Sequence, residues 1–200
     1  MSQRVVGVVL AAGASRRAGF PKALATLNGE TLLRRTCATL SAAGCDAICV
    51  VLRAHDVDNI HAKIPDGVSS CTNSRPELGM SSSLACALRD PSLADADAAV
   101  VSLLDHPLVS PDTVVRLMSH WRSSGAALVR PTFGGRGGHP YVLARQLFPG
   151  LLELPLGSDP RPFFSRFASA VEVSDPGVVD DADLPEELQA LGAKPPSRRR

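Results

Sequence analysis

The sequence predicts an α/β domain: a central, mostly parallel sheet covered by helices on both faces. Three observations carry this. Short apolar runs alternate along the chain with segments whose apolar residues recur at helical spacing, and that alternation makes a right-handed, parallel arrangement of strands the default. The apolar share of 44% is mostly Ala, Val and Leu, with only 4% aromatic residues, which suits strands buried on both faces. The 200 residues fit one domain with room for such a covered sheet.

Residues 4–10, centred on Val5-Val6-Gly7-Val8-Val9, read as the first strand. A helix follows over residues 31–43, with Leu32, Leu33, Cys37 and Leu40 near helical spacing and Gly44 as its stop. Residues 47–52 form a second strand, residues 57–64 a short helix ended by Pro65, and residues 68–71 a weaker strand leading into a loop over 72–79. The helix predicted over 81–88 carries its serines in the first turn, where unpaired N–H groups can meet a ligand. Residues 98–104 are the strongest strand after the first and deliver Asp105-His106-Pro107 at their carboxyl end. Ser110-Pro111 then opens a helix, with Ser as cap and Pro at the first helical position.

Residues 126–130 read as a strand, and Gly134-Gly135-Arg136-Gly137-Gly138 as a flexible loop before His139-Pro140 and the apolar Tyr141-Val142-Leu143. Short helices near 144–148 and 160–167, a strand near 170–173 and a helix over 184–191 complete a single domain over residues 1–192. Residues 193–200 are expected to be a disordered tail whose three arginines are a solvated end rather than a binding site.

A formal net charge of +1 argues against a nucleic-acid or membrane surface, so any phosphate recognition must be local. No apolar run reaches the roughly 18 residues that a membrane helix needs. The five cysteines are scattered, odd in number and without a Cys-x-x-Cys pair, and read as reduced thiols of an intracellular protein. Cys45 and Cys49 have no histidine at zinc-site spacing. With no secretory leader in view at the N-terminus, the cytoplasm is the expected location.

The chemistry concentrates in the loop after the first strand, Leu10-Ala11-Ala12-Gly13-Ala14-Ser15-Arg16-Arg17-Ala18-Gly19-Phe20-Pro21-Lys22. Small residues let backbone N–H groups approach a phosphate and the cations neutralise it. A Walker loop would need Gly-Lys-Ser/Thr where Gly19 is followed by Phe20-Pro21-Lys22, and the dinucleotide fingerprint needs a third glycine that is missing. Ligands of parallel α/β sheets sit beyond the carboxyl ends of strands, where both this loop and Asp105 fall. A cationic loop beside an acidic residue is what a metal–triphosphate site requires.

The loop resembles the nucleotidyltransferase signature Leu-Ala-Ala-Gly-x-Ser-x-Arg-Met-Gly-x-Pro-Lys and departs from it at Ala18. Four further segments match in order: Gly79-Met80-Ser81-Ser82-Ser83-Leu84, Asp105-His106-Pro107, Gly138-His139-Pro140 and Asp181-Ala182-Asp183-Leu184-Pro185-Glu186-Glu187-Leu188. The chain thus resembles the MobA-like nucleotidyltransferases, and within them the molybdenum cofactor cytidylyltransferase branch. The resemblance implies a three-layer α/β/α sandwich of the Rossmann-like, nucleotide-diphospho-sugar transferase kind. It also implies Mg²⁺-dependent transfer of a nucleoside monophosphate from a triphosphate to a phosphorylated acceptor such as molybdopterin, with release of pyrophosphate.

In that reading Leu10, Ala11, Ala12 and Gly13 cradle the nucleotide, Arg17 and Lys22 supply fixed positive charge, and Asp105 binds the metal. Asp181 is the matched second carboxylate, Ser82 and Ser83 lie near base and ribose, and His139 faces the acceptor. Each has a plainer reading: surface charge for the cations, a turn for Asp105 and His139, helix caps for the serines, and acids favouring a helix start for Asp181. Ala12 and Pro21 lean towards CTP over GTP, because the guanylyl branch more often has Leu-Ala-Gly-Gly and an Asp before its lysine. A methyl group on Ala12 is expected to narrow the mouth against a purine. The family often has Gly-Asp-x-Gly-Ala-Arg where this chain reads Gly157-Ser158-Asp159-Pro160-Arg161-Pro162-Phe163-Phe164, which leaves a sugar phosphate open as acceptor. A nucleotide-binding accessory protein without turnover is the reading from another class, and intact Lys22 and Asp105 argue against it.

Overall fold

The computed structural model describes residues 3–13, 18–182 and 185–196. Strand β1 (Val5–Leu10) shows why the chain layers as it does. Val5 and Val9 point into one apolar cluster and Val6 and Val8 into another, the two-residue period of a strand buried on both faces. Gly7 lies under Leu40, where a Cβ would stand 2.9 Å from Leu40 Cδ1, so the missing side chain lets the covering helix sit close.

The small strands β2 (Thr26–Leu27) and β3 (Glu30–Thr31) follow the loop, and then α1 (Leu32–Ala42). The Thr31 hydroxyl caps α1 by accepting from Arg34 N. Next come β4 (Ala47–Arg53), α2 (Val57–Ile60), β5 (Ser69–Asn73), α3 (Gly79–Leu88) and β6 (Ala98–Leu103). Helix α4 (Pro111–Ser124) is capped by Ser110, which accepts from Thr113 N, and ends at Gly125 in the left-handed region at φ 66°. The chain continues through β7 (Leu128–Phe133), β8 (Arg136–Gly137), β9 (Tyr141–Ala144), α5 (Phe148–Leu152), α6 (Arg161–Ser165), β10 (Ala168–Glu172), α7 (Pro185–Ala190) and β11 (Ala193–Lys194).

The main sheet runs β10-β7-β9-β6-β1-β4-β5, with β8 folded back on β7. All its long pairings are parallel except those of β9, which is antiparallel to both β6 and β7. Residues 134–140 are all that separate β7 from β9, too few for the dozen or so residues that a parallel crossover needs. Helices α1 and α4 cover one face through Leu33, Leu40, Leu117 and Trp121. Helices α3 and α5 cover the other through Leu84, Ala87, Phe148 and Leu151. The sheet with its flanking helices is the expected architecture.

A second sheet, β11-β2-β3, closes a small apolar cluster of Ala25, Leu27, Leu32, Leu188 and Ala193. Here the sequence expectation is corrected. Ala193 and Lys194, assigned to a disordered tail, pair antiparallel with Leu27 and Thr26, because burying Ala193 in this cluster gives the chain end a partner. The segment over 57–64 is also shorter than expected as an α-helix, with α2 giving way to a 3-10 turn over His61–Lys63. The terminal arginines lie outside the described residues.

Candidate active site

Strands β1 and β6 are parallel neighbours in register, Leu10 opposite Leu103, so the loop after β1 and the turn after β6 open on the same sheet edge. Lys22 starts a 3-10 turn behind Pro21. Its Nζ donates to Ala182 O at 3.1 Å and lies 3.9 Å from Asp105 Oδ2. Ala182 N–H in turn donates to Asp105 O at 2.8 Å. The lysine, the strand-end aspartate and the segment carrying Asp181 are thus tied into one corner, although they lie far apart in sequence. Asp181 is exposed beside buried Ala182.

Lys22 is not the exposed surface charge of the plainer reading. Its side chain is only 11% exposed, against 26% for Asp105, because the carbonyl of Ala182 holds it down. The phosphate-loop residues divide as well. Ala11 and Ala12 are buried, while Gly13 is exposed and its carbonyl accepts from Arg53 Nη2 at 3.2 Å. Ala12 packs in the cluster formed by Val6, Val8, Val51 and Leu84. Its methyl therefore faces the core and not a ligand, which removes the steric argument for a narrowed mouth. Arg17 lies outside the described residues.

The turn after β6 is braced from several sides. Arg35 Nε donates to Pro107 O at 2.7 Å. His106 Nδ1 stands 3.3 Å from Gly177 O, and its Nε2 stands 3.9 Å from Asp105 Oδ1. Asp175 Oδ2 accepts from Ser110 N at 2.9 Å and from Thr113 Oγ1 at 2.7 Å, and Asp175 Oδ1 accepts from Gly177 N at 3.0 Å. That carboxylate joins the start of α4 to the segment that packs over the site.

His139 enters from the other side. Its N–H donates to Val178 O at 2.9 Å, and a Cβ on neighbouring Gly138 would collide with that same carbonyl. Glycine at 138 is what permits this close approach. The His139 ring lies 5.3 Å from that of His106 and 5.1 Å from that of Tyr141, and Tyr141 lies 5.0 Å from Phe164. Burial, reinforced by His106, lowers the His139 pKa to about 3, so the ring is neutral at physiological pH. Its Nδ1 is shielded from solvent and has no partner among the described residues.

Ser82 and Ser83 are placed differently. Asn73 Nδ2 donates to Ser82 Oγ at 2.9 Å and to Ser83 Oγ at 3.0 Å. Ser82 Oγ donates to Gly79 O at 2.8 Å. All three residues are buried, so these hydroxyls fasten the first turn of α3 to the end of β5. Sequence reasoning passed over Arg53 and Asp175. A cation at the end of a strand near the loop after β1 is a usable signal for Arg53, whereas Asp175-Pro176-Gly177 marks only a local cap and not the bonds from Asp175 to Ser110 and Thr113.

A lysine from the segment after β1 and an aspartate from the turn after β6 thus meet at one edge of a mostly parallel, Rossmann-like α/β sheet. The chain belongs to the MobA-like NTP transferase family, whose domain matches residues 7–171. It is 31% identical over 198 residues, 94% of this chain and 96% of the other, to a nicotine blue oxidoreductase of Paenarthrobacter nicotinovorans. It is 30% identical over 126 residues, 62% of this chain and 59% of the other, to a probable molybdenum cofactor guanylyltransferase of Rhodopirellula baltica. The crystal structure of Rv0371c from Mycobacterium tuberculosis, in complex with manganese, superposes with a TM-score of 0.74 at 25% identity, covering 96% of this chain and 98% of that one. No helix among the described residues is long and apolar enough to cross a membrane.

Proposed function

We propose that this protein is a cytoplasmic, Mg²⁺-dependent nucleotidyltransferase that moves CMP from CTP to a phosphorylated acceptor of the molybdopterin kind. The observation that carries the reading is the Lys22–Asp105 pair, 3.9 Å apart, which joins the segment after β1 to the turn after β6. Asp105 and exposed Asp181 offer the hard oxygen donors that Mg²⁺ prefers, so the residues present fit the metal. When bound, the ion would neutralise phosphate charge on the triphosphate.

The transfer joins an acceptor phosphate oxygen to the α-phosphorus and breaks its bond to the bridging oxygen, so that pyrophosphate leaves. Lys22, with Arg17 from the loop, supplies positive charge where the phosphoryl oxygens become more negative. A phosphate monoester has its second pKa near about 6 and is already anionic at neutral pH, so the nucleophile needs no base. That suits neutral His139, which can exchange one hydrogen bond with the acceptor but takes up no proton near pH 7. The choice of CTP rests on Ala12 and Pro21 as a loop pattern alone.

A second reading has one specific observation behind it, the full-length relative named as an oxidoreductase. The test is pyrophosphate release with CTP and GTP in Mg²⁺, with a pterin phosphate and a sugar phosphate as acceptors. Release with CTP exceeding that with GTP is expected. Turnover with a reduced nicotinamide and a heteroaromatic dye, with no pyrophosphate from either nucleotide, would establish the redox reading instead.

A further inference from the structure

Three cysteines that the proposed chemistry does not use meet on the α3 side of the sheet. Cys71 on β5 is central: its Sγ lies 4.0 Å from that of Cys49 on β4 and 3.1 Å from that of Cys86 on α3. A carboxylate oxygen of Asp90 lies within 4.8 Å of the Cys49 and Cys71 sulfurs, and this trio is a metal-capable grouping of the described residues. Cys49 is buried, whereas Cys71, Cys86 and Asp90 are each partly exposed, so the cluster has a rigid floor and an open side.

We propose that Cys49, Cys71 and Asp90 form a binding site for a thiophilic d¹⁰ cation, with zinc as the fitting divalent ion and Cys86, 3.1 Å from Cys71 but outside the trio, turning in as the fourth donor. Zinc–sulfur bonds of about 2.3 Å in a tetrahedron set sulfurs about 3.8 Å apart. The Cys49–Cys71 separation is close to that value, and the Cys71–Cys86 pair needs a side-chain rotation that opens it. Three thiols and a carboxylate cannot all ionise together without a cation. A bound cation would hold these thiols as thiolates, which is the form that ligates a metal. Asp90 is held for the purpose by Oδ1, which accepts from Ser92 N at 3.0 Å and Ser92 Oγ at 2.7 Å. Cys37 and Cys45 stand apart from this group, and burial pushes both thiols up to about 12. The site is distinct from the Asp105 corner in its donors, soft sulfur against hard oxygen.

The test is titration of the reduced full-length protein with Co²⁺ as a spectroscopic stand-in for zinc. One ion per chain is expected, with thiolate-to-cobalt charge-transfer absorption that zinc bleaches stoichiometrically. A cobalt ion at Asp105 would have oxygen donors and give no such band. Cys71→Ser and Cys86→Ser should each weaken binding at least tenfold, and Asp90→Asn should shift the band, while Cys37→Ser leaves it unchanged. Because Cys71 and Cys86 are partly exposed, circular dichroism of these variants should show the native fold. A band that persists in both serine variants, absence of the band in folded wild-type protein, or a Cys71–Cys86 disulfide forming in its place with no ion retained after reduction would each overturn the proposal.

Discussion

Lys22 has two tasks, and they should separate on mutation. Its Nζ is bonded to Ala182 O and faces Asp105, so Lys22→Ala removes a tie to the C-terminal segment and, on the proposed mechanism, a catalytic cation. We expect kcat to fall by roughly 10²–10³, the usual loss when one stabilising donor is removed. A hydrogen bond from a charged group is worth about 1.5–3 kcal/mol, so unfolding in urea should show a loss of that order as well. Undiminished turnover would take Lys22 out of the mechanism. His139 has a different signature. Its folded pKa, about 3, lies below the unfolded value near 6.5, so protons bind the unfolded chain preferentially and stability falls as pH drops below about 6.5. Between pH 7 and pH 5 the loss from this group is about 2 kcal/mol. His139→Gln should flatten that part of the stability–pH profile, and an unchanged slope would show that the ring is protonated in the folded protein.

At the scale of elements, the site depends on how α4 and the C-terminal segment are joined. Asp175 accepts three hydrogen bonds, from Ser110 N, Thr113 Oγ1 and Gly177 N. Asp175→Ala leaves those donors short of partners at the start of α4, and a cost of about 2–3 kcal/mol is expected from caps and buried donors together. Because Gly177 O also meets His106, KM for the acceptor should rise more than kcat falls. Equal thermal stability of the variant and the wild type would contradict this account. The sequence showed the capping of α4, since Ser110-Pro111 is a local signal. It did not show the link from Asp175 to α4, whose partners Ser110 and Thr113 lie 65 and 62 residues away. The two-residue strands β2, β3 and β11 were equally out of reach, because so short a segment has no periodicity to read.

For the whole molecule, what was legible follows from the two-faced burial of the sheet. Apolar runs marked β1, β4 and β6, and their order placed Leu10 and Asp105 at one edge. Direction is harder to read: Tyr141-Val142-Leu143 stands out only as an apolar run, and the short link from β7 makes it the antiparallel strand β9. The scattered cysteines read as unrelated because Cys71 is 22 residues from Cys49 and 15 from Cys86, and parallel pairing of β4 with β5 is what unites them. Of the site itself, Lys22 and Asp105 were legible as strand-end chemistry. The tie through Ala182, 160 residues from Lys22, was not.

The central claim is that this strand-end corner binds a metal–nucleoside triphosphate. Its most direct test is a thermal-shift panel of CTP, GTP, ATP and UTP with and without Mg²⁺, run on wild type, Asp105→Asn and Asp181→Asn. A ligand at a hundredfold excess over Kd stabilises the folded state by about 2.7 kcal/mol, a readily measured rise in Tm. The account predicts a Mg²⁺-dependent rise that is largest with CTP, abolished in Asp105→Asn and equally or less reduced in Asp181→Asn. No rise with any triphosphate, or the same Mg²⁺-dependent rise in Asp105→Asn, would contradict it.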